Sequence, residues 1–157
     1  MPAFTTTRRV PFTPQQMFAL VADVERYPEF VPLCEGLRIQ SRQDTTQGET
    51  LIADMDVGYK SIRETFTSRV TLEPDRPFVK VEAVAGPFRH LENQWSFDTA
   101  PDGCDVRFYI SYEIRSLMLQ LLAGAVFERA FRRFAEAFEK RARHVYGEPM
   151  RDQIIPV

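Results

Sequence analysis

The spacing of apolar residues changes twice along the chain. Residues 4–10 read as a short strand, after which Thr13-Pro14-Gln15-Gln16 predicts a helix start. Thr13 is placed as N-cap, Pro14 at the first helical position and Gln16 as the third helical residue reaching back to the cap. Phe12 and Met17 are positioned to staple across that cap. Met17, Phe18, Val21 and Val24 then recur at helical spacing, and the helix is expected to fray at Tyr27-Pro28, because a residue before proline avoids the helical region. Pro32 keeps the next segment short.

Over residues 37–114 the period becomes two. Leu51, Ala53, Met55 and Val57 alternate with Ile52, Asp54 and Asp56, and Ile62, Phe66, Val70 and Leu72 oppose Arg63, Thr65, Thr67 and Arg69. Strands are also predicted over 78–84, 88–97 and 104–114, the last with Val106, Phe108, Ile110, Tyr112 and Ile114 on one face. Gly58-Tyr59-Lys60, residues 73–77 and residues 99–103 supply the turns.

Residues 116–146 lack proline and form one long predicted helix. Phe127, Phe131, Phe134 and Phe138 make a single stripe, opposed by Arg129, Arg132, Arg133, Glu136, Lys140 and Arg143. Gly147 ends the helix, and Pro149 and Pro156 mark a loose tail. An antiparallel sheet with one apolar face must be covered, and this helix carries the only long apolar stripe. The expected fold class is therefore α+β: a curved antiparallel sheet of about seven strands around a long C-terminal helix, with one or two short helices after the first strand. Residues 1–147 are expected to form one domain and residues 148–157 the tail.

Composition narrows the function. A chain of 157 residues can bury a core but is too short for separate cofactor and substrate domains. Twenty Lys and Arg against 22 Asp and Glu give −2, no general field for nucleic acid, and no DNA contact is expected. Cys34 and Cys104, far apart and without an apolar leader near the start, fit a reduced cytoplasmic compartment. Thirteen Phe against one Trp and five Tyr call for a thick core or a wall facing something apolar.

Motif chemistry is sparse. There is no glycine-rich phosphate loop, Cys-x-x-Cys, His-Glu-x-x-His or Gly-x-Ser-x-Gly. His90 has outward parity and His144 sits at a helix end, so no metal site is expected, nor a resident cofactor. Glu64 shares parity with Ile62 and Phe66, and Asn93 with Leu91, Trp95 and Phe97; a polar group on an apolar face needs a partner or a ligand. Glu64 and Glu113 are the candidates under an acid–base enzyme reading, although nothing in their spacing selects a reaction. The Phe stripe alone reads as core. Residues 117–127, however, are apolar on every side and flanked by Arg115, Arg129, Arg132 and Arg133, so contact with a ligand or an acidic membrane surface is an alternative.

Several stretches resemble one family. Residues 14–34 (PQQMFALVADVERYPEFVPLC), 88–97 (FRHLENQWSF), 110–117 (ISYEIRSL) and 137–142 (AFEKRA) are similar, in the right order, to the coenzyme Q-binding branch of START-like, or polyketide cyclase and lipid transport, domains. Leu33 departs from the pattern, which prefers Trp nearby. The resemblance implies a helix-grip fold, in which a curved sheet wraps the terminal helix around a cavity. It also implies a non-catalytic role: binding ubiquinone or a related polyprenyl lipid in support of respiration. Bacterial relatives of the family are described as toxins that hinder ribosomal subunit association, so a ribosome contact through the basic face of residues 129–143 is the alternative partner.

A quinone needs an apolar slot and one or two donors, supplied in this reading by Asn93, Trp95 or Tyr112. The expected wall comprises Met55, Glu64, Phe66, Phe97 and Phe108 from the sheet and Leu122, Val126, Phe127, Phe131 and Phe134 from the helix. Its opening is placed near Val31 and Leu33 and the start of the helix, where residues 117–127 would meet a tail or the inner membrane peripherally.

Overall fold

Side chains at residues 13–16 fix the first helix. In the computed structural model, which describes residues 2–147, Thr13 Oγ1 accepts from Gln16 N at 3.0 Å and Gln16 Oε1 accepts from Thr13 N at 2.9 Å, closing a capping box. Helix α1 spans Pro14–Ala22 and buries Met17, Leu20 and Val21. It stops before the predicted fraying point. Asp23 leaves helical backbone at φ −85° and ψ 69°, and the chain continues as a 3-10 helix over Val24–Glu29 that contains Pro28. The Tyr27 hydroxyl donates to the Val21 carbonyl, one of those left open at the end of α1.

Seven antiparallel strands follow the alternating pattern: β1 (Ala3–Val10), β2 (Cys34–Asp44), β3 (Glu49–Tyr59), β4 (Ile62–Glu73), β5 (Phe78–Ala85), β6 (Phe88–Ala100) and β7 (Gly103–Ile114). Their order is β1-β7-β6-β5-β4-β3-β2, a meander with β1 added beside β7. Strand β3 runs through Gly58 and Tyr59, so of the expected turn residues only Lys60, with φ 55°, lies in the turn, and Ser61 completes it. Gly58 stays in the strand beneath Glu35, whose carboxylate lies 2.4 Å from where a Cβ would be. Gly86 has φ 125°, and a Cβ there would meet Phe66 Cβ at 2.6 Å, so the β5–β6 hairpin can rest against β4 only with glycine. Register shifts at Cys34/Gly36, Ile39/Ser41, Thr67/Ser68 and Phe88/His90 bend the sheet.

Helix α2 (Leu117–Tyr146) begins at Ser116, whose Oγ accepts from Leu119 N at 3.2 Å. It ends at Gly147, with φ 84°. Ala123, Phe127, Ala130, Phe131, Ala135, Phe138 and Ala142 form its buried face, while Arg129, Arg132 and Arg133 are exposed. The C-terminal half is tied down by Arg8–Glu139, Arg141–Glu29 and the Tyr146 hydroxyl on the Gln16 carbonyl. Among residues 117–121 at the start of α2, only Leu119 is buried. No described helix is long and apolar enough to cross a membrane. The tail at 148–157 lies outside the described residues.

Candidate functional site: an apolar cavity between sheet and helix

The inner face of the sheet and α2 do not close completely on one another. They leave a cavity of about 80 Å³. Phe127, Ala130, Phe131, Phe134 and Phe138 of α2 line one side. The sheet contributes Met55 and Val57 of β3, Phe66 of β4, Val81 of β5, Phe88, Leu91, Asn93 and Trp95 of β6, and Ile110 of β7. Tyr27, Val31, Pro32 and Leu33 complete the wall. Pro32, Leu33, Met55 and Val57 are only half-buried, so the cavity reaches solvent on that side. Leu33 adopts φ 68°, an uncommon backbone for this residue type, and its carbonyl accepts from Gly58 N at 3.0 Å, which holds the segment against β3.

Aromatic rings from both sides fill most of the interior. Phe138 meets Tyr27, Phe30 and Trp95 edge-on at 5.4, 4.9 and 4.9 Å. Phe66, Phe88 and Phe127 form a chain with centroid steps of 5.4 and 5.9 Å. Cavities that hold a benzene are on the order of 150 Å³. The Phe surplus is therefore mostly packing, and a ring the size of a quinone enters only if the wall yields. Along α2, Leu117, Met118 and Leu121 make the least packing contact with the rest of the fold.

The polar groups on the wall are almost fully engaged. Asn93 Nδ2 donates to the Tyr109 carbonyl at 2.9 Å, and Trp95 Nε1 donates to Asn93 Oδ1 at 2.9 Å. Trp95 has only that one N–H, whereas the Asn93 amide has a second. Burial raises the Tyr27 pKa well above its ordinary value, so its hydroxyl remains neutral and donates to Val21. Such a wall offers one spare N–H donor and no ionised group. It suits a neutral apolar molecule with a carbonyl.

Of the residues expected at the site, Val31, Leu33, Met55, Phe66, Asn93, Trp95, Phe127, Phe131 and Phe134 lie on the wall. Phe97 and Phe108 sit in the adjoining core, Phe97 stacked on Trp95 and Phe108 edge-on to it at 4.8 Å. Tyr112 is one layer back, its ring 5.0 Å from Phe131, and burial raises its pKa. Glu64 and Val126 are half-buried off the wall. The side chain of Leu122 lies outside the described side chains. Tyr27, Val57, Val81, Phe88, Leu91, Ile110, Ala130 and Phe138 also lie on the wall without being expected there, although the parity that Leu91 shares with Trp95, and Ile110 with Phe108, points to two of them.

Nothing on the cavity wall forms an acid–base pair. Glu113 sits 4.0 Å from Arg89 with parity opposite to the buried Tyr112 and Ile114, while Glu64 has inward parity. His90 Nε2 contacts Ser111 Oγ at 2.9 Å, and no cluster of three metal-ligating side chains occurs among the described residues. A larger open hollow of about 600 Å³ on the outer sheet face is lined by Arg76, Phe78, Gln94, Ser96, Arg107 and Tyr109 together with Glu92 and Asp98. Its mixed charges and solvent exposure do not suit a lipid.

Comparison with known proteins gives one family and relatives of two kinds. The sequence profile described as polyketide cyclase / dehydrase and lipid transport matches residues 10–139. The ribosome association toxin RatA of Escherichia coli K12 is 34% identical over 148 residues, covering 94% of this chain and 90% of the toxin. The mitochondrial coenzyme Q-binding protein COQ10 homolog B of Xenopus laevis is 31% identical over 148 residues, covering 92% of this chain and 59% of that protein. The solution structure of the 18 kDa protein CC1736 from Caulobacter crescentus superposes with a TM-score of 0.77 at 34% identity, covering 94% of this chain and all of that one.

Proposed function

The chain belongs to the polyketide cyclase / dehydrase and lipid transport family, and from that footing we propose that it binds an isoprenoid quinone such as ubiquinone, or a related polyprenyl lipid, without transforming it. In this reading it acts as a carrier or chaperone supporting respiratory electron transport. The observation that carries the proposal is the apolar cavity with its single spare donor, the second N–H of Asn93. That group binds one quinone carbonyl while Phe127, Phe131 and Phe134 bracket the ring, and the tail leaves past Pro32 and Leu33. The wall provides no paired acid and base, which favours binding over catalysis. Mass spectrometry of lipid extracts from protein purified out of membrane-containing lysate tests this. An isoprenoid quinone retained by the native chain and lost on Ala130→Leu supports it; no isoprenoid on the native chain overturns it.

A second reading is favoured by the similarity to a ribosome association toxin. The outer face of α2 is basic, and Arg129 and Arg133 have no carboxylate partner among the described residues, whereas Arg132 and Lys140 pair with Glu128 and Glu136. Cosedimentation with ribosomal subunits that disappears on Arg129→Glu/Arg133→Glu would support this role.

A further inference from the structure

Leu117, Met118 and Leu121 at the start of α2 are 72%, 71% and 79% exposed, although the helix has an apolar cavity beneath it three turns on. Three aliphatic side chains left in water on two adjacent turns are unusual on a small domain and mark a contact surface. Antiparallel topology puts several other features at the same end of the sheet: the β3–β4 turn, the β5–β6 turn, the end of β7 and the start of β2. The backbone pins that end together, because Arg115 N donates to the Pro87 carbonyl at 2.7 Å. Pro32 and Leu33 of the cavity wall directly precede β2 there.

Charge is distributed to match. Lys60 in the β3–β4 turn and Arg115 before α2 are exposed and have no carboxylate partner among the described residues. Along the outward side of α2 the aliphatic turns give way to Arg129 and Arg133. Met118 and Arg129 are eleven positions, about three turns, apart and so lie on one line along the helix. A helix that presents aliphatic side chains followed by arginines on one outward side has the pattern of an element lying in the headgroup region of an anionic bilayer. An RNA surface would engage the arginines but leave the three aliphatic side chains in water.

We propose that the outward face of residues 117–133, with the Lys60 turn beside it, docks on the surface of an anionic phospholipid bilayer, so that the cavity opens towards the membrane. The aliphatic turn enters the interface, and Arg129 and Arg133 meet lipid phosphates. This deepens the lipid-binding proposal but does not depend on which molecule occupies the cavity. The test therefore uses vesicles free of isoprenoids, so that its failure leaves the quinone reading to be judged by its own experiment.

The experiment is flotation of the full chain with vesicles of phosphatidylcholine alone or of phosphatidylcholine with phosphatidylglycerol. Binding to the anionic vesicles is expected, weakened by salt. Leu117→Ser/Met118→Ser/Leu121→Ser should lower partitioning about tenfold or more, from the apolar area withdrawn, with an unchanged melting temperature because these side chains are already exposed. Arg129→Glu/Arg133→Glu should abolish the preference for anionic vesicles. As a second readout, an environment-sensitive fluorophore on Met118→Cys should shift to the blue on vesicle addition; Cys34 and Cys104 are buried and leave the label at one position. Absence of flotation overturns the proposal, as does flotation that neither variant reduces. Concentration-dependent self-association lost in the serine variant would assign the face to a second copy instead, and ribosome pelleting lost in that variant would assign it to the ribosome; either result overturns the proposal.

Discussion

Filling the cavity should stabilise the protein and abolish ligand binding at the same time. Ala130 is 7% exposed and its side chain lies on the wall opposite β6. Ala130→Leu adds three carbons into a void of about 80 Å³. At roughly 24 cal/mol per Å³ of void, a cavity of about 80 Å³ corresponds to ~2 kcal/mol. Part of that is offset by strain on Phe127 and Phe134, since overpacking costs about 1 kcal/mol or more when rings must shift. A net gain of about 0.5–1 kcal/mol in the ligand-free protein follows, read as a raised urea midpoint with an unchanged slope. The same variant should no longer retain a quinone. A variant that loses stability yet keeps its ligand would refute the reasoning, because it would place the ligand somewhere other than this void.

Four further outcomes follow from the same geometry. Phe138→Ala, which removes a ring 1% exposed and edge-on to Tyr27, Phe30 and Trp95, should cost about 3–5 kcal/mol in chemical denaturation. Trp95→Phe leaves Asn93 Oδ1 without its donor and should cost about 1–3 kcal/mol. The Asp56 carboxylate accepts from Arg38 and from Thr65, which lowers its pKa to about 2. A depressed carboxylate stabilises the fold above its unfolded pKa, near 4, and that contribution fades as pH falls towards about 2. Asp56→Asn should therefore flatten the acid limb of a melting-temperature profile, modestly because the pair is partly exposed. Burial pushes the Cys34 and Cys104 thiols up to about 11, so neither should react with a thiol reagent at pH 8 until the protein is unfolded.

Much of this architecture is legible in the sequence because it rests on short-range rules. Thr13, Pro14 and Gln16 specify a helix start by their own hydrogen bonds, and alternation along 51–57 and 104–114 names the buried side of each strand without reference to its neighbours. Parity does not say how far along a strand the covering helix crosses. Phe97, Phe108 and Tyr112 share a face with residues on the wall yet lie beside or behind it, whereas Phe88, of opposite parity to Leu91 and Trp95, turns inward through the register shift between Phe88 and His90. Polar satisfaction is equally non-local. Trp95 reads as a donor until the fold places Asn93 Oδ1 at 2.9 Å, which leaves Asn93 as the group with a free N–H. Helix α1 ends earlier than its spacing predicts because Asp23, rather than Pro28, breaks it, and a 3-10 turn accommodates the proline.

The phenylalanine surplus divides accordingly. Most rings are packed against one another, and the remaining space is small, about 80 Å³. Quinone binding therefore implies a wider state, and α2 can supply it because its C-terminal half is fastened to β1, α1 and the 3-10 helix while its first turns are not. Membrane contact at Leu117, Met118 and Leu121 would act on that exposed end.

The central claim can be read from one residue. Trp95 is the only tryptophan and lies on the cavity wall, so a quinone bound there touches the sole indole emitter. Titrating a short-tailed ubiquinone analogue into the native chain should quench its tryptophan emission saturably, and Ala130→Leu should remove the saturable component. Quenching that rises linearly with quinone, and to the same extent in both proteins, would show only random collision and contradict the account.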